Sequence, residues 1–187
     1  RAHRPGRMTN FVPIAFLDTF ELAASLRRRM GAFVLDPLDM LGPRCLKVRG
    51  PRTGADDPDD DLAFVAYKDA ANWPELRATL GRISRIGEAT IGGVEFGRVF
   101  LELLMPATRL PWDVLVEDRY SERFSRLHLP LRTNPAAIVY AGTEQMHLLP
   151  GQLTIVNQRA GVSAVNLGEW PRIHLVVDFK RKEHAAP

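Results

Sequence analysis

Cysteine is almost absent from this chain: Cys45 is the only one in 187 residues. A disulfide within the chain is therefore excluded, and a lone thiol suits a reducing compartment, so the expected location is the cytoplasm. Long hydrophobic runs are missing as well. No stretch approaches the ~20 apolar residues of a membrane helix, and no membrane partner is expected. An excess of one charge is also lacking. Lys and Arg number 25 against 22 Asp and Glu, a net charge of +3. The acidic run Asp56-Asp57-Pro58-Asp59-Asp60-Asp61 offsets a general excess of arginine, so no basic stripe marks a nucleic-acid footprint. Scattered arginines of this kind ordinarily face solvent. What is present is an ordinary soluble composition, 45% hydrophobic and 25% charged, with room for one sizeable core. The expected partner is a small molecule, and composition leaves the oligomeric state open.

The start, Arg1-Ala2-His3-Arg4-Pro5-Gly6-Arg7, has no apolar segment and does not read as a signal peptide. Met8 reads as a natural start. Residues 1–7 are taken as a cloning remnant or upstream extension, and 8–187 as one domain. Asp18 to Met30 has the spacing of an amphipathic helix, with Asp18 and Glu21 as a capping-box-like start and Gly31 as a stop. Gly50 to Asp61 reads as an exposed loop, and Leu62–Tyr67 as a strand. Trp73–Ile83 reads as a second helix, with Asn72 as cap and Pro74 in its first turn. From Val94 onward, short β-rich runs alternate with turn residues: 95–105, 126–131, 137–141, 145–149, 153–156, 163–165 and 173–179. Such spacing predicts a sandwich or barrel buttressed by the earlier helices.

Strand alternation sorts the candidate side chains. Arg126 and His128 share one face, and Leu127 and Leu129 the other. In the last strand Arg172, His174, Val176 and Asp178 oppose the apolar row Ile173, Leu175, Val177 and Phe179. Each polar row either lines a cavity or faces water. Gly92-Gly93 is a turn and not a phosphate loop, because no helix opening with Lys-Ser/Thr follows. Ser163 lacks the surroundings of a nucleophile elbow.

Three segments carry a resemblance: Arg126–Asn134, Leu149–Val156 and Val165–Phe179. Together they resemble the C-terminal half of the aspartyl/asparaginyl β-hydroxylase family, well over 94–180 and weakly before it. The resemblance implies a mainly β fold with flanking helices: a double-stranded β-helix, cupin-like, with N-terminal helices packed on one sheet. It implies Fe(II) and 2-oxoglutarate as the family's cofactors. Arg126 and His128 match its Arg-x-His motif. Arg172 matches the arginine that opens the last core strand after an Asn-x-Gly-x-x-Pro turn, here Asn166 to Pro171. These positions imply anion-binding roles for Arg126 and Arg172, since a guanidinium on a rigid strand suits bidentate carboxylate binding.

Two departures follow from the same resemblance. The first iron histidine falls at Trp112 or Asp113, after Leu103-Leu104-Met105-Pro106-Ala107-Thr108. The second falls at Val162, ten residues before Arg172. Iron of this kind needs two imidazoles, often with a carboxylate. Asp113 can supply a carboxylate; Val162 supplies nothing. Glu102 stands where the hydroxylases place a small hydroxyl residue touching the co-substrate. A carboxylate there repels another carboxylate unless an arginine lies between them. The segment from Asp113 to Arg126 is long for the family and reads as a lid or rim.

Three readings compete. The first is an enzyme without iron or other cofactor, doing non-redox cyclisation, isomerisation or elimination on a small carboxylate-bearing or polar metabolite. In it Arg126 and Arg172 orient the substrate, and His128, Glu102 or Asp113 moves protons. The second is an Fe(II)/2-oxoglutarate hydroxylase with unusual ligands, such as Asp113 with His128. The third is a non-catalytic anion-binding protein.

Overall fold

Alternation along the last strand organises the whole molecule. The computed structural model describes residues 9–32, 34–35, 44–51, 64–66, 72–113 and 123–182. The chain opens with β1 (Phe11–Phe16), α1 (Phe20–Leu26), a 3₁₀ turn (Arg27–Ala32), β2 (Val34–Leu35), β3 (Arg44–Pro51), β4 (Phe64–Ala66) and α2 (Pro74–Ile91). The β-rich remainder is β5 (Val94–Leu104), β6 (Thr108–Asp113), β7 (Ser125–Arg132), β8 (Ala137–Ala141), β9 (Glu144–Met146), β10 (Gln152–Val156), β11 (Val162–Asn166) and β12 (Arg172–Arg181).

Among the described residues the strands form two antiparallel sheets. The larger runs β1-β10-β7-β12-β5-β3-β2, with β4 on β3; the smaller runs β6-β11-β8-β9. This is the expected double-stranded β-helix. The apolar row of β12, Ile173, Leu175, Val177 and Phe179, packs with Leu127, Leu129 and Leu131 of β7, Val99, Leu101 and Leu103 of β5, and Leu22, Leu26, Leu76 and Ile83 of the two helices. The second core lies between the sheets. There Phe11, Leu104 and Val156 of the larger sheet meet Val139, Ala141, Val162 and Ala164 of the smaller. Apolar burial of this kind dominates folding, so the helix-covered face holds most of the stability.

The helices depart from expectation in length. The first stops at Leu26 and tightens into a 3₁₀ turn in which Gly31 lies, rather than running to Met30. Leu26 is its last buried apolar residue, and Arg27–Arg29 offer no apolar face to hold a further α turn on the sheet. Asp18 accepts the Phe20 amide (2.9 Å), but Thr19 is the cap and no capping box forms. The second helix runs to Ile91, past Ile83, because Gly87 is buried and Ile86 packs on the core. Burial outweighs the weak helix propensity of Gly81 and Gly87. Trp73, buried, stands at its cap instead of Asn72 and donates to Ser25 Oγ (2.8 Å), which ties the helices together.

Strands β1, β2, β3 and β6 lie outside the expected runs, and the others match within a few residues. Gly50 and Pro51 end β3 instead of opening the loop; residues 52–61 of that loop lie outside the described residues, as do 114–122 of the expected lid. In the Leu149-Pro150-Gly151 turn, Gly151 has φ +78°, and a Cβ there would lie 2.4 Å from the Leu17 carbonyl oxygen. Only glycine fits where β1 closes against this turn.

Candidate functional site

The polar row of β12 faces away from the helices. Across the ladder His174 pairs with Glu102 of β5, Val176 with His128 of β7, and Asp178 with Arg126 of β7. His128 also pairs with Thr154 of β10. Pleating puts these side chains on one face, so four adjacent strands bring Glu102, Arg126, His128, Thr154, Arg172, His174 and Asp178 together. All are buried except Arg126, which is partly so; Arg172 is only 1% exposed.

Both arginines expected to hold anions meet carboxylates of this chain. Arg172 Nη2 donates to Glu102 Oε1 in a close ion pair. Arg126 is bidentate on Asp178, Nε to Oδ1 at 2.6 Å and Nη2 to Oδ2 at 3.0 Å. The Gln158 amide oxygen, turned toward it, accepts from Arg126 as well. Burial pushes the Arg172 guanidinium down to about 9, which leaves it charged at neutral pH.

Between these pairs the imidazoles of His128 and His174 meet edge to face, with Nδ1 to Nδ1 at 3.3 Å. Burial, and then the positive Arg126, lowers His128 to about 3. Burial, then Arg172, His128 and His147, holds His174 well below its ordinary value. Both rings are therefore neutral. Arg172 Nη1 lies 3.3 Å from His174 Nδ1 and has only hydrogens to offer, so that nitrogen is an acceptor. Assigning the hydrogen of His128 to Nδ1 makes it share the single lone pair of His174 Nδ1 with Arg172 Nη1–H. The remaining nitrogens differ: His128 Nε2 holds a bare lone pair, and His174 Nε2 holds a hydrogen. Both are buried without a protein partner, as are Thr154 Oγ1 and Arg172 Nε. Buried polar atoms are normally satisfied, so such a cluster calls for partners from outside the chain, ordered water or a ligand.

The opening of β12 is fixed by an asparagine clasp. Asn166, fully buried, donates to the carbonyls of Leu104 (3.0 Å) and Trp170 (2.8 Å) and accepts from Asn134 Nδ2 (2.9 Å). Gly168 passes so close to Asn134 that a Cβ would sit 2.0 Å from its Oδ1. The Asn-x-Gly-x-x-Pro turn is thus what orients the strand bearing Arg172.

The two positions left for iron ligands come together on the smaller sheet. Asp113 of β6 is the ladder partner of Val162 on β11. Trp112, next to it, is 53% exposed, with its ring 6.2 Å from Tyr140. Asp113, and not Trp112, is therefore the position opposite Val162. Val162 is buried in apolar surroundings with Val139 and Ala141. Among the described residues no three His, Cys, Asp or Glu side chains form a group that could hold a metal. His147, near enough to act on His174, has its Nδ1 bonded to the Ala137 carbonyl at 3.0 Å. Val162 supplies no donor toward a two-imidazole iron site.

Sequence reasoning did not single out His174, Asp178, Thr154 or Gln158 as site residues. Alternation along β12 already placed His174 and Asp178 beside Arg172. Their partners depend on strand order, which alternation does not encode.

A family model described as aspartyl/asparaginyl beta-hydroxylase matches residues 61–182. Solved structures agree in fold. An oxidoreductase of the 2OG-Fe(II) oxygenase family from Burkholderia pseudomallei superposes with TM-score 0.62 at 11% identity, covering 92% of this chain and 85% of that one. A Pseudomonas putida prolyl-4-hydroxylase gives 0.59 at 14% identity, covering 94% and 95%. The non-heme alpha ketoglutarate dependent epimerase SnoN from nogalamycin biosynthesis gives 0.57 at 14% identity, covering 92% and 78%. No curated protein matches the sequence.

Proposed function

Because this chain belongs to the aspartyl/asparaginyl β-hydroxylase family, we propose that it turns an oxygenase scaffold to a different use: iron-independent, non-redox acid–base chemistry on a small polar metabolite, in the isomerase, cyclase or lyase class. The partner is a small molecule, and cytoplasmic residence belongs to the same proposal. No helix among the described residues is long and apolar enough to cross a membrane.

The observation that carries this reading is the linked His128–His174 pair with an unpartnered buried nitrogen at each end. His128 Nε2 takes a proton from the substrate. The hydrogen on His128 Nδ1 passes to His174 Nδ1, and His174 Nε2 releases its own hydrogen to another atom of the substrate. Each ring gains one proton and loses one, so no charge builds up in the buried site. The product tautomers set His174 Nδ1–H against Arg172 Nη1–H, so the relay runs back once product has left: His174 Nε2 takes a proton from water, its Nδ1 hydrogen returns to His128 Nδ1, and His128 Nε2 gives its proton to water. Arg172 positions the pair, and Glu102 and Asp178 balance the arginines. A His128→Gln variant should lose turnover by about 10²–10⁴-fold, the usual contribution of general acid–base catalysis.

One observation favours the second reading. Asp113, the position left with a possible ligand, stands opposite Val162 on a scaffold shared with Fe(II)- and 2-oxoglutarate-dependent enzymes. Calorimetric titration with Fe(II) or Mn(II) plus 2-oxoglutarate under argon separates the two. We expect no tight site. A single tight site abolished by Asp113→Ala would sink the iron-free reading and establish an oxygenase with unusual ligands.

A further inference from the structure

The cluster contains two guanidinium–carboxylate pairs, and both are closed within the chain. We infer that Glu102 is the resident occupant of the anion seat on Arg172, and that it closes the buried site to carboxylate ligands, so the ligand presents a neutral polar group there. The inference deepens the proton-transfer reading and rests on it for the kind of ligand, but its test reads binding alone.

Charge balance carries the argument. Arg126 is matched by Asp178 and Arg172 by Glu102, while His128 and His174 are neutral. An incoming carboxylate would bring an unmatched negative charge into buried surroundings, where a lone ion is costly. It would lie beside Glu102, with the repulsion of like charges at low local dielectric. To displace Glu102 instead, it would have to strand a side chain that is itself buried on β5, with Cys45 and His174 as ladder partners. Neither partner offers a cation.

A neutral group meets no such barrier. Arg172 Nε and Thr154 Oγ1 are buried and unpartnered on the sheet face that carries the histidines. They can donate to a ketone, amide or alcohol oxygen, and His128 Nε2 can accept from an amide or hydroxyl hydrogen. The position of Glu102 sharpens the contrast with the hydroxylases this chain resembles, which hold a small hydroxyl residue there and take a dicarboxylate co-substrate. Here the chain supplies the carboxylate itself.

Succinate, a plain dicarboxylate, is the probe. Its binding to the wild-type chain, to Glu102→Ser and to the double variant Glu102→Ser/Arg172→Met is measured by calorimetry and by the succinate dependence of Tm. Wild type should show no succinate-dependent rise in Tm. Glu102→Ser should bind succinate at least about tenfold more tightly, one factor of ten for each 1.4 kcal/mol, and its Tm should climb with succinate concentration. The double variant should lose that response, because the seat itself is gone. If Glu102→Ser does not fold without an anion, Glu102→Gln replaces it: the amide still accepts from Arg172 but removes the charge. The inference is overturned if wild type binds succinate as tightly as the Glu102 variants, or if the folded variants gain no succinate binding. Failure of proton transfer would appear separately, as unchanged turnover in His128→Gln, and would leave this binding comparison intact.

Discussion

His128 shows how one buried residue couples chemistry to stability. Its ring is held neutral because burial, reinforced by Arg126, lowers it to about 3. In the unfolded chain the same imidazole titrates near its ordinary 6.5. Between those values the unfolded chain binds a proton that the folded chain refuses. The native state is thus fully favoured above about pH 6.5 and loses stability as the pH falls toward 3. The whole difference is on the order of 5 kcal/mol. By pH 5 about 2 kcal/mol of it should be gone. His174, shifted the same way, adds to the acid limb. Urea midpoints of wild type and His128→Gln at pH 7.5 and pH 5 test this. The variant should lose less on acidification, by roughly that 2 kcal/mol; parallel losses would show that His128 is not buried and neutral.

At the scale of elements, the turn between β11 and β12 decides where Arg172 points. Asn166 satisfies two carbonyls and accepts from two donors, the Asn134 amide and the Gly168 backbone N–H. Asn166→Ala takes its donor from the Leu104 carbonyl and leaves the Trp170 carbonyl to Asn134 Nδ2 alone, with an expected loss of about 2 kcal/mol. Gly168→Ala should cost a comparable amount by driving a methyl into Asn134. Urea denaturation measures both, and a loss under about 1 kcal/mol, the net worth of a typical hydrogen bond, would refute the clasp. This element was legible in the sequence as an Asn-x-Gly-x-x-Pro turn, and the two faces of β12 were legible from alternation. The overall architecture came from resemblance more than from periodicity. What stayed hidden has physical causes. Two of the missed strands, β1 and β6, are sheet edges carrying Pro13 and Pro111, and proline is tolerated at edges while it masks a strand pattern. The extra length of α2 was masked by glycines that only tertiary burial could overrule. The Arg126–Asp178 and Arg172–Glu102 pairs join residues 52 and 70 positions apart, so no local pattern announces them.

The molecule as a whole keeps two cores with different duties. The one under the helices is apolar but for Ser25 and Thr79, and Leu175, Leu129 and Leu101 are completely buried there. The one between the sheets sets an apolar cluster, to which Phe11, Leu104 and Val156 of the larger sheet contribute, beside that sheet's charged row. This division predicts opposite responses to substitution. Leu175→Ala removes contacts at the centre of the first core and should cost about 2–5 kcal/mol. Asp178→Leu alone removes the bidentate acceptor of the partly buried Arg126 and should cost about 3 kcal/mol. Replacing the pair together, Arg126→Met with Asp178→Leu, removes both desolvation penalties and should leave stability near wild type or raise it by about 1–4 kcal/mol. A double-mutant cycle in urea reads the coupling directly. If the double variant is as unstable as Asp178→Leu alone, the ionic layer supports the fold rather than the site. If it is restored, the charges between the sheets are dispensable for folding, and their place in the chain has to be explained by what the buried cluster binds.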